Sequence, residues 1–228
     1  MIHTRHLSAG YQGIPVVENL ELTVGAGELV AVLGRNGMGK TTLLRTIAGH
    51  LRPLAGEVHV GGCALRPGLP EDAARAGLSF LPDDRGVFPT LAVTENLALA
   101  RRRGYRPSVD VFETLPVLRE RADVRAGSLS GGQKQQLGLA RAILAGERAI
   151  VVDEFSQGLQ PSVTRAVLEA LSTLAADGVT VVLVDQNPDP LVEFATRVIA
   201  IEKGAVVLDE PAEAIRADRE RLVAYLVV

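Results

Sequence analysis

The 228-residue sequence predicts an α/β fold in which a mostly parallel sheet lies between helices and a helical lobe is inserted partway along the chain. Three observations predict it. The apolar run Leu29-Val30-Ala31-Val32-Leu33 leads into the glycine-rich stretch Gly34-Arg35-Asn36-Gly37-Met38-Gly39-Lys40-Thr41-Thr42, which opens a helix. The runs Ala149-Ile150-Val151-Val152 and Val179-Thr180-Val181-Val182-Leu183-Val184 are apolar and rich in β-branched residues, as strands covered on both faces are. Between them Val163, Val167, Leu168, Leu171 and Leu174 recur at the spacing of an amphipathic helix, which gives the strand, helix, strand order of a parallel sheet.

Ahead of the glycine-rich stretch, Leu20, Leu22 and Val24 alternate as in a strand with one buried face. Tyr11 falls in the polar stretch Ser8 to Gly13, read as a turn, where its ring can stack on a purine or close the turn over the core. The stretch itself fits G-x-x-x-x-G-K-[ST] with a strand before it and a helix after it, the context a phosphate-binding loop requires. Glycines at 34, 37 and 39 let the backbone turn sharply and bring bare N–H groups to phosphate oxygens, and the helix N-terminus adds partial positive charge beneath them. Lys40 would reach the β- and γ-phosphates, and the Thr41 hydroxyl would sit on a magnesium ion. In the helix that follows, Leu43, Ile47 and Leu51 recur every four residues beside Leu44 and Ala48.

Residues 56–62 then read as a strand running into a turn, 70–76 as a short helix opened by Pro70, and 78–81 as a strand stopped by Pro82 ahead of the polar loop Asp83-Asp84-Arg85-Gly86. From 94 to 103 and from 108 to 121 the pattern is helical, with Phe112, Leu115 and Leu118 on one side; this is the inserted lobe. Arg101-Arg102-Arg103, with Arg106 close behind, is the one basic cluster, either a solvated helix end or a docking contact. Residues 198–201 and 205–208 form a final hairpin around Lys203-Gly204, and two short helices follow.

Composition narrows the function. No window approaches the roughly 18 apolar residues that would span a bilayer, and residues 1–6 have no apolar stretch behind their charges, so the chain is expected to remain in the cytoplasm. The single cysteine, Cys63, excludes an internal disulfide and is expected to be a small packing residue. A net charge of -3 with 4% aromatics lacks the broad basic face and stacking rings of a nucleic-acid binder.

Two further motifs carry chemistry. Leu129-Ser130-Gly131-Gly132-Gln133 precedes a helix, so its N–H groups and the Ser130 hydroxyl form either a second anion site or simply a cap and a turn. Asp153 and Glu154 leave the carboxyl end of a buried strand, which is costly without a cation nearby. Magnesium on Asp153 would supply that cation, and Glu154 could orient and deprotonate an attacking water.

In order and rough spacing, Tyr11, Gly34 to Thr42, Leu129 to Gln133 and Val151 to Glu154 resemble the ATP-binding cassette (ABC) ATPases over essentially the whole chain. The resemblance implies a P-loop NTPase of the ABC ATPase fold, a single domain in which residues 1–83 and 146–228 form a RecA-like core with an antiparallel β subdomain. Residues 84–145 would form the helical subdomain carrying Leu129 to Gln133. It implies ATP and Mg²⁺ as ligands, with Tyr11, Asn36, Gly37, Gly39, Lys40, Thr41 and Thr42 on one side of the nucleotide and Ser130, Gly131, Gly132 and Gln133 of a facing subunit on the other. Two such domains would close head to tail over two ATP molecules.

Two positions are similar to one branch of the family. Asp83 stands where a glutamine usually touches magnesium and the attacking water, and Gln186 where a histidine usually contacts the γ-phosphate. With Arg85 to Pro89, Thr94 to Leu97 and Ser156 to Pro161, they resemble the smaller ATPase subunit of branched-chain amino-acid importers and its relatives for urea and short amides. That branch implies two integral-membrane permeases, a second and different ABC ATPase, an external solute-binding protein acting indirectly, and a peripheral place on the inner face of the membrane. Asp83 is one methylene shorter than the glutamate expected there, and Phe155 replaces the usual proline after Asp153-Glu154. The rival readings are a soluble ATPase of the same fold and a regulatory binder that holds ATP without cleaving it.

Overall fold

The computed structural model describes residues 1–185 and 187–222. The chain begins with strands β1 (Ile2–Tyr11), β2 (Ile14–Val24) and β3 (Leu29–Leu33), helix α1 (Lys40–Ile47), strands β4 (Ala55–Val60) and β5 (Cys63–Ala64), helix α2 (Pro70–Arg75) and strand β6 (Leu78–Leu81). Helices α3 (Val93–Ala100), α4 (Val111–Thr114), α5 (Val117–Glu120) and α6 (Gly131–Ala145) follow without an intervening strand. Strand β7 (Ala149–Val152), α7 (Pro161–Ala176), β8 (Thr180–Val184), α8 (Pro188–Phe194), β9 (Arg197–Glu202), β10 (Ala205–Pro211) and α9 (Ala212–Ala217) complete it.

Every side chain of β3, β7 and β8 is buried, and their alternation sorts them between two cores. Leu29, Ala31, Leu33, Ile150, Val152, Val181 and Leu183 face α6, α7 and the helical insert. Val30, Val32, Val151, Val182 and Val184 face α1 and the strands β1, β2 and β4. Each valine, leucine or isoleucine among them, fully withdrawn from water, contributes roughly 1.5–3 kcal/mol. The central sheet runs β10-β9-β3-β8-β7-β6, parallel except for the β9–β10 hairpin. A second, antiparallel sheet runs β2-β1-β4-β5. The predicted mixture of a mostly parallel sheet with a separate antiparallel one is present.

Several local expectations are corrected. Helix α1 ends at Ile47, before Leu51, because Gly49 adopts φ 75° where a Cβ would meet the Leu69 carbonyl at 2.9 Å; Leu51 packs on the core from beyond the turn. Ser8 to Tyr11 are strand, paired with β2 through Ala9↔Val17 and Tyr11↔Ile14, and the turn is only Gln12-Gly13, both with positive φ. Helix α3 stops at Ala100, with Arg101 extended. The basic cluster follows the end of α3, with Arg101 at its C-cap, and Arg102 within it donates to the Ala74 and Arg75 carbonyls and pairs with Glu147 at 2.5 Å, tying the insert to the core. The predicted helix over 108–121 is broken at Pro116 into α4 and α5, since a proline lacks the N–H that would continue it. Cys63 is exposed on the two-residue strand β5 and packs against no core. Strand β1 and helix α8 were not anticipated.

Candidate functional site

Strands β3, β7 and β8 run parallel, and the residues just past their carboxyl ends gather around one cleft of about 250 Å³. It is lined by Tyr11, Asn36, Gly37, Gly39, Lys40, Thr41, Thr42, Asp153 and Glu154 among the sequence-predicted residues, with Val16, Val184 and Asp185 added. The loop before α1 turns where only glycine fits. At Gly34 φ is 141°, and a Cβ would stand 2.3 Å from the Ile201 carbonyl oxygen. Helix α1 then starts on Gly39 with no side-chain cap, so its first N–H groups are left toward the cleft.

Lys40 is buried, and its ammonium donates to the Gly34 carbonyl at 2.5 Å and the Arg35 carbonyl at 2.8 Å. Burial lowers its pKa, opposed by the negative charges of Asp153 and Glu154. Asp153 is 1% exposed, and both of its carboxylate oxygens are buried with no hydrogen-bond partner among the described residues. Burial raises its pKa, and the nearby Asp83 and Glu154 charges push the same way; the Thr41 hydroxyl and the Lys40 charge oppose the rise. An orphaned buried carboxylate between a lysine and a threonine hydroxyl is a donor set that fits a hard divalent cation.

Glu154 holds φ at 50°, a left-handed backbone that costs a non-glycine residue of order 1–3 kcal/mol. The surroundings enforce it. Asp153 N–H donates to the Leu81 carbonyl and Phe155 N–H to the Val184 carbonyl, at 2.9 and 3.0 Å. Phe155 is fully buried, so the residue standing where proline was expected anchors the turn in the core. Gln135 of α6, 2% exposed, donates its side-chain amide to the carbonyls of Glu154 and Phe155 at 3.1 and 2.9 Å. Neither Gln135 nor Asp185 was singled out from sequence. The signal for Asp185 was present, since an acidic residue directly after the buried run Thr180–Val184 needs partners.

Two predicted groups are not among the residues that line the cleft. Asp83 does not line it; its carboxylate is engaged by Arg45 of α1 at 2.9 Å and is 45% exposed. Ser130, Gly131, Gly132 and Gln133 are also outside the cleft, with Ser130 and Gly131 exposed. Ser130 caps α6: its hydroxyl accepts from Gln133 N–H at 3.3 Å while the Gln133 side chain accepts from Ser130 N–H at 3.0 Å. A Cβ on Gly132 would meet the Gly158 carbonyl oxygen at 2.3 Å, so this turn is packed against the loop after Glu154. Gln186 lies outside the described residues.

Comparison with known proteins follows the same lines. A family model described as ABC transporter matches residues 17–157. The high-affinity branched-chain amino acid transport ATP-binding protein BraG of Pseudomonas aeruginosa is 34% identical over 99% of both chains. The methionine import ATP-binding protein MetN 1 of Burkholderia orbicola is 34% identical over 91% of this chain and 64% of its own length. The aliphatic sulfonates import ATP-binding protein SsuB 2 of Pseudomonas aeruginosa is 36% identical over 87% of this chain and 70% of its own. Among solved structures, an ATP-binding subunit of an ABC transporter superposes with a TM-score of 0.83 at 24% identity over the whole of both chains. A bacterial ABC transporter cassette solved as a dimer does so with a TM-score of 0.80 at 25% identity, over 93% of this chain and 99% of that one. This chain belongs to the ABC transporter family, as one of its ATP-hydrolysing, ATP-binding chains.

Proposed function

We propose that this chain energises the import of branched-chain amino acids through separate membrane permeases, hydrolysing ATP on the inner face of the membrane. The observation that carries the ATPase site is the buried Asp153 carboxylate, without a hydrogen-bond partner among the described residues and close to Lys40 and Thr41. The solute class is supported by the end-to-end match with BraG. A second reading, import of another small solute, is favoured by comparable identity to the methionine and sulfonate proteins.

In this reading Lys40 exchanges the Gly34 and Arg35 carbonyls for β- and γ-phosphate oxygens, and the N–H groups from Asn36 to Thr42 surround the phosphates. Tyr11, 45% exposed at the cleft edge, packs on the base. Thr41 and Asp153 would hold Mg²⁺, which would neutralise charge on the phosphate oxygens. Glu154 orients and deprotonates the attacking water. Gln186 is assigned to the γ-phosphate, and Asp83, paired with Arg45, would help to hold the metal only once released from it. Ser130, Gly131, Gly132 and Gln133 serve the nucleotide of a facing ABC ATPase, a different subunit in preference to an identical one. No helix among the described residues is long and apolar enough to cross a membrane, which leaves the crossing to the permeases. An external solute-binding protein delivers the solute to them.

Gentle solubilisation of tagged protein tests the assignment. Two integral-membrane chains and a second cassette should co-purify, and the assembly's ATPase should rise with branched-chain amino acids presented by a binding protein. Recovery of the chain alone would overturn the transporter role, and stimulation by methionine or a sulfonate would move the solute class.

A further inference from the structure

Asp185 is an acidic residue at the cleft to which no role in binding or hydrolysis has been given. It is 6% exposed, follows β8 directly and lines the cleft. One carboxylate oxygen accepts from the Ser156 N–H at 2.5 Å and the other from the Asn187 N–H at 2.9 Å. It makes no ion pair among the described residues, so two backbone donors from two different loops hold its charge. Ser156 lies two residues after Glu154, on the segment whose carbonyls are gripped from the other side by Gln135. The segment from Glu154 to Ser156 is thus held between α6, which begins at the Ser130 turn, and the loop that begins at Asp185 and contains Gln186.

We propose that Asp185 is a positioning residue for ATP hydrolysis: by clasping Ser156 to the loop at 185–187 it sets where the Glu154 carboxylate stands over the cleft. It acts through Glu154 and so rests on the reading of Glu154 as the base. Both acceptors of a carboxylate are needed. Asparagine keeps one oxygen and turns an NH₂ toward the second N–H, donor against donor, which is no better than alanine. Glutamate keeps both acceptors at a different reach and restores part of the geometry.

The test compares Asp185→Ala, Asp185→Asn and Asp185→Glu with the parent in the full chain, reading kcat, KM for ATP, thermal melting and hydrogen–deuterium exchange over residues 154–159. The alanine and asparagine variants should lose about tenfold or more in kcat, with KM within about twofold, as expected when only the transition-state geometry is disturbed. Exchange should rise over 154–159 and stay unchanged elsewhere, and Asp185→Glu should recover part of kcat. Should the alanine variant fail to fold, the asparagine and glutamate variants decide. Parental kcat in Asp185→Asn, or loss of protection spread over the whole chain, overturns the proposal. Glu154→Gln, measured alongside, separates the two readings: parental turnover in that variant removes Glu154 as base, whereas an inactive Glu154→Gln beside a fully active Asp185→Asn removes only the role of Asp185.

Discussion

Two helices of this chain begin on glycine-rich turns, and they treat their N-termini in opposite ways. Helix α1 starts at Gly39 with no side-chain cap, beside a buried lysine and a buried carboxylate that lacks a hydrogen-bond partner among the described residues. Helix α6 starts at Ser130 with both halves of a capping box closed and no titratable group in its turn. The first is costly when empty of ligand: burial disfavours the charged forms of both Lys40 and Asp153. The second is internally satisfied and turned outward. The difference teaches that binding energy is stored in the cleft, while the Ser130 turn is a finished surface that can meet a ligand held elsewhere.

The largest expected effect is on turnover. Glu154→Gln should lower kcat by about 100-fold or more, in the range that removal of a general base produces, while equilibrium binding of ATP is retained. Radiolabelled ATP hydrolysis and filter binding check this, and parental turnover would detach the cleft from catalysis.

Next comes the stored cost. Asp153→Asn should raise the melting temperature of the nucleotide-free chain, by about 2–4 °C for each kcal/mol of relieved desolvation, and should abolish the stabilisation by Mg²⁺ with nucleotide. The sign follows from the raised pKa. Folding is favoured by the protonated carboxyl below the unfolded value near 3.8, and that gain is lost as pH rises through the raised folded value. The difference between variant and parent should therefore widen as pH rises from about 4 toward neutrality. A variant less stable than its parent at neutral pH would contradict the contrast.

The smallest effect belongs to the other turn. Ser130→Ala should cost about 0.5–2 kcal/mol of folding stability through the lost cap and leave single-chain ATP binding unchanged, measured by denaturant unfolding and nucleotide titration. Weakened binding by an isolated chain would mean that the turn serves its own cleft.

The cleft was largely legible because its elements are locally determined. A continuous apolar run ending in glycines, or in Asp153-Glu154, states both the strand and what stands at its end, and α6 was legible from Ser130 and the leucines behind it. Less was legible where distant partners decide. Strand β1 was missed because register shifts near His6, itself at φ 46°, interrupt its alternation. The insert was read as two longer helices because the apolar periodicity was followed across Pro116, a break the sequence does mark, whereas nothing local shows that Arg102 leaves to cap α2. The pairing of Asp83 with Arg45 was not legible, because Arg45 is 38 residues away and bears no local mark of it. Gln135 was hidden for the same reason, 19 and 20 residues before the carbonyls it holds.

If the two turns are halves of one site, two chains must close over the nucleotide. Closure is measured as mass by sedimentation of the Glu154→Gln chain mixed with the second cassette that co-purifies with it, with ATP and Mg²⁺. The account predicts that the two chains run at their summed mass with ATP but not with ADP, and that adding Ser130→Arg to this chain separates them without weakening its own ATP binding. Chains that stay separate at saturating ATP, or a complex indifferent to Ser130→Arg, would contradict it.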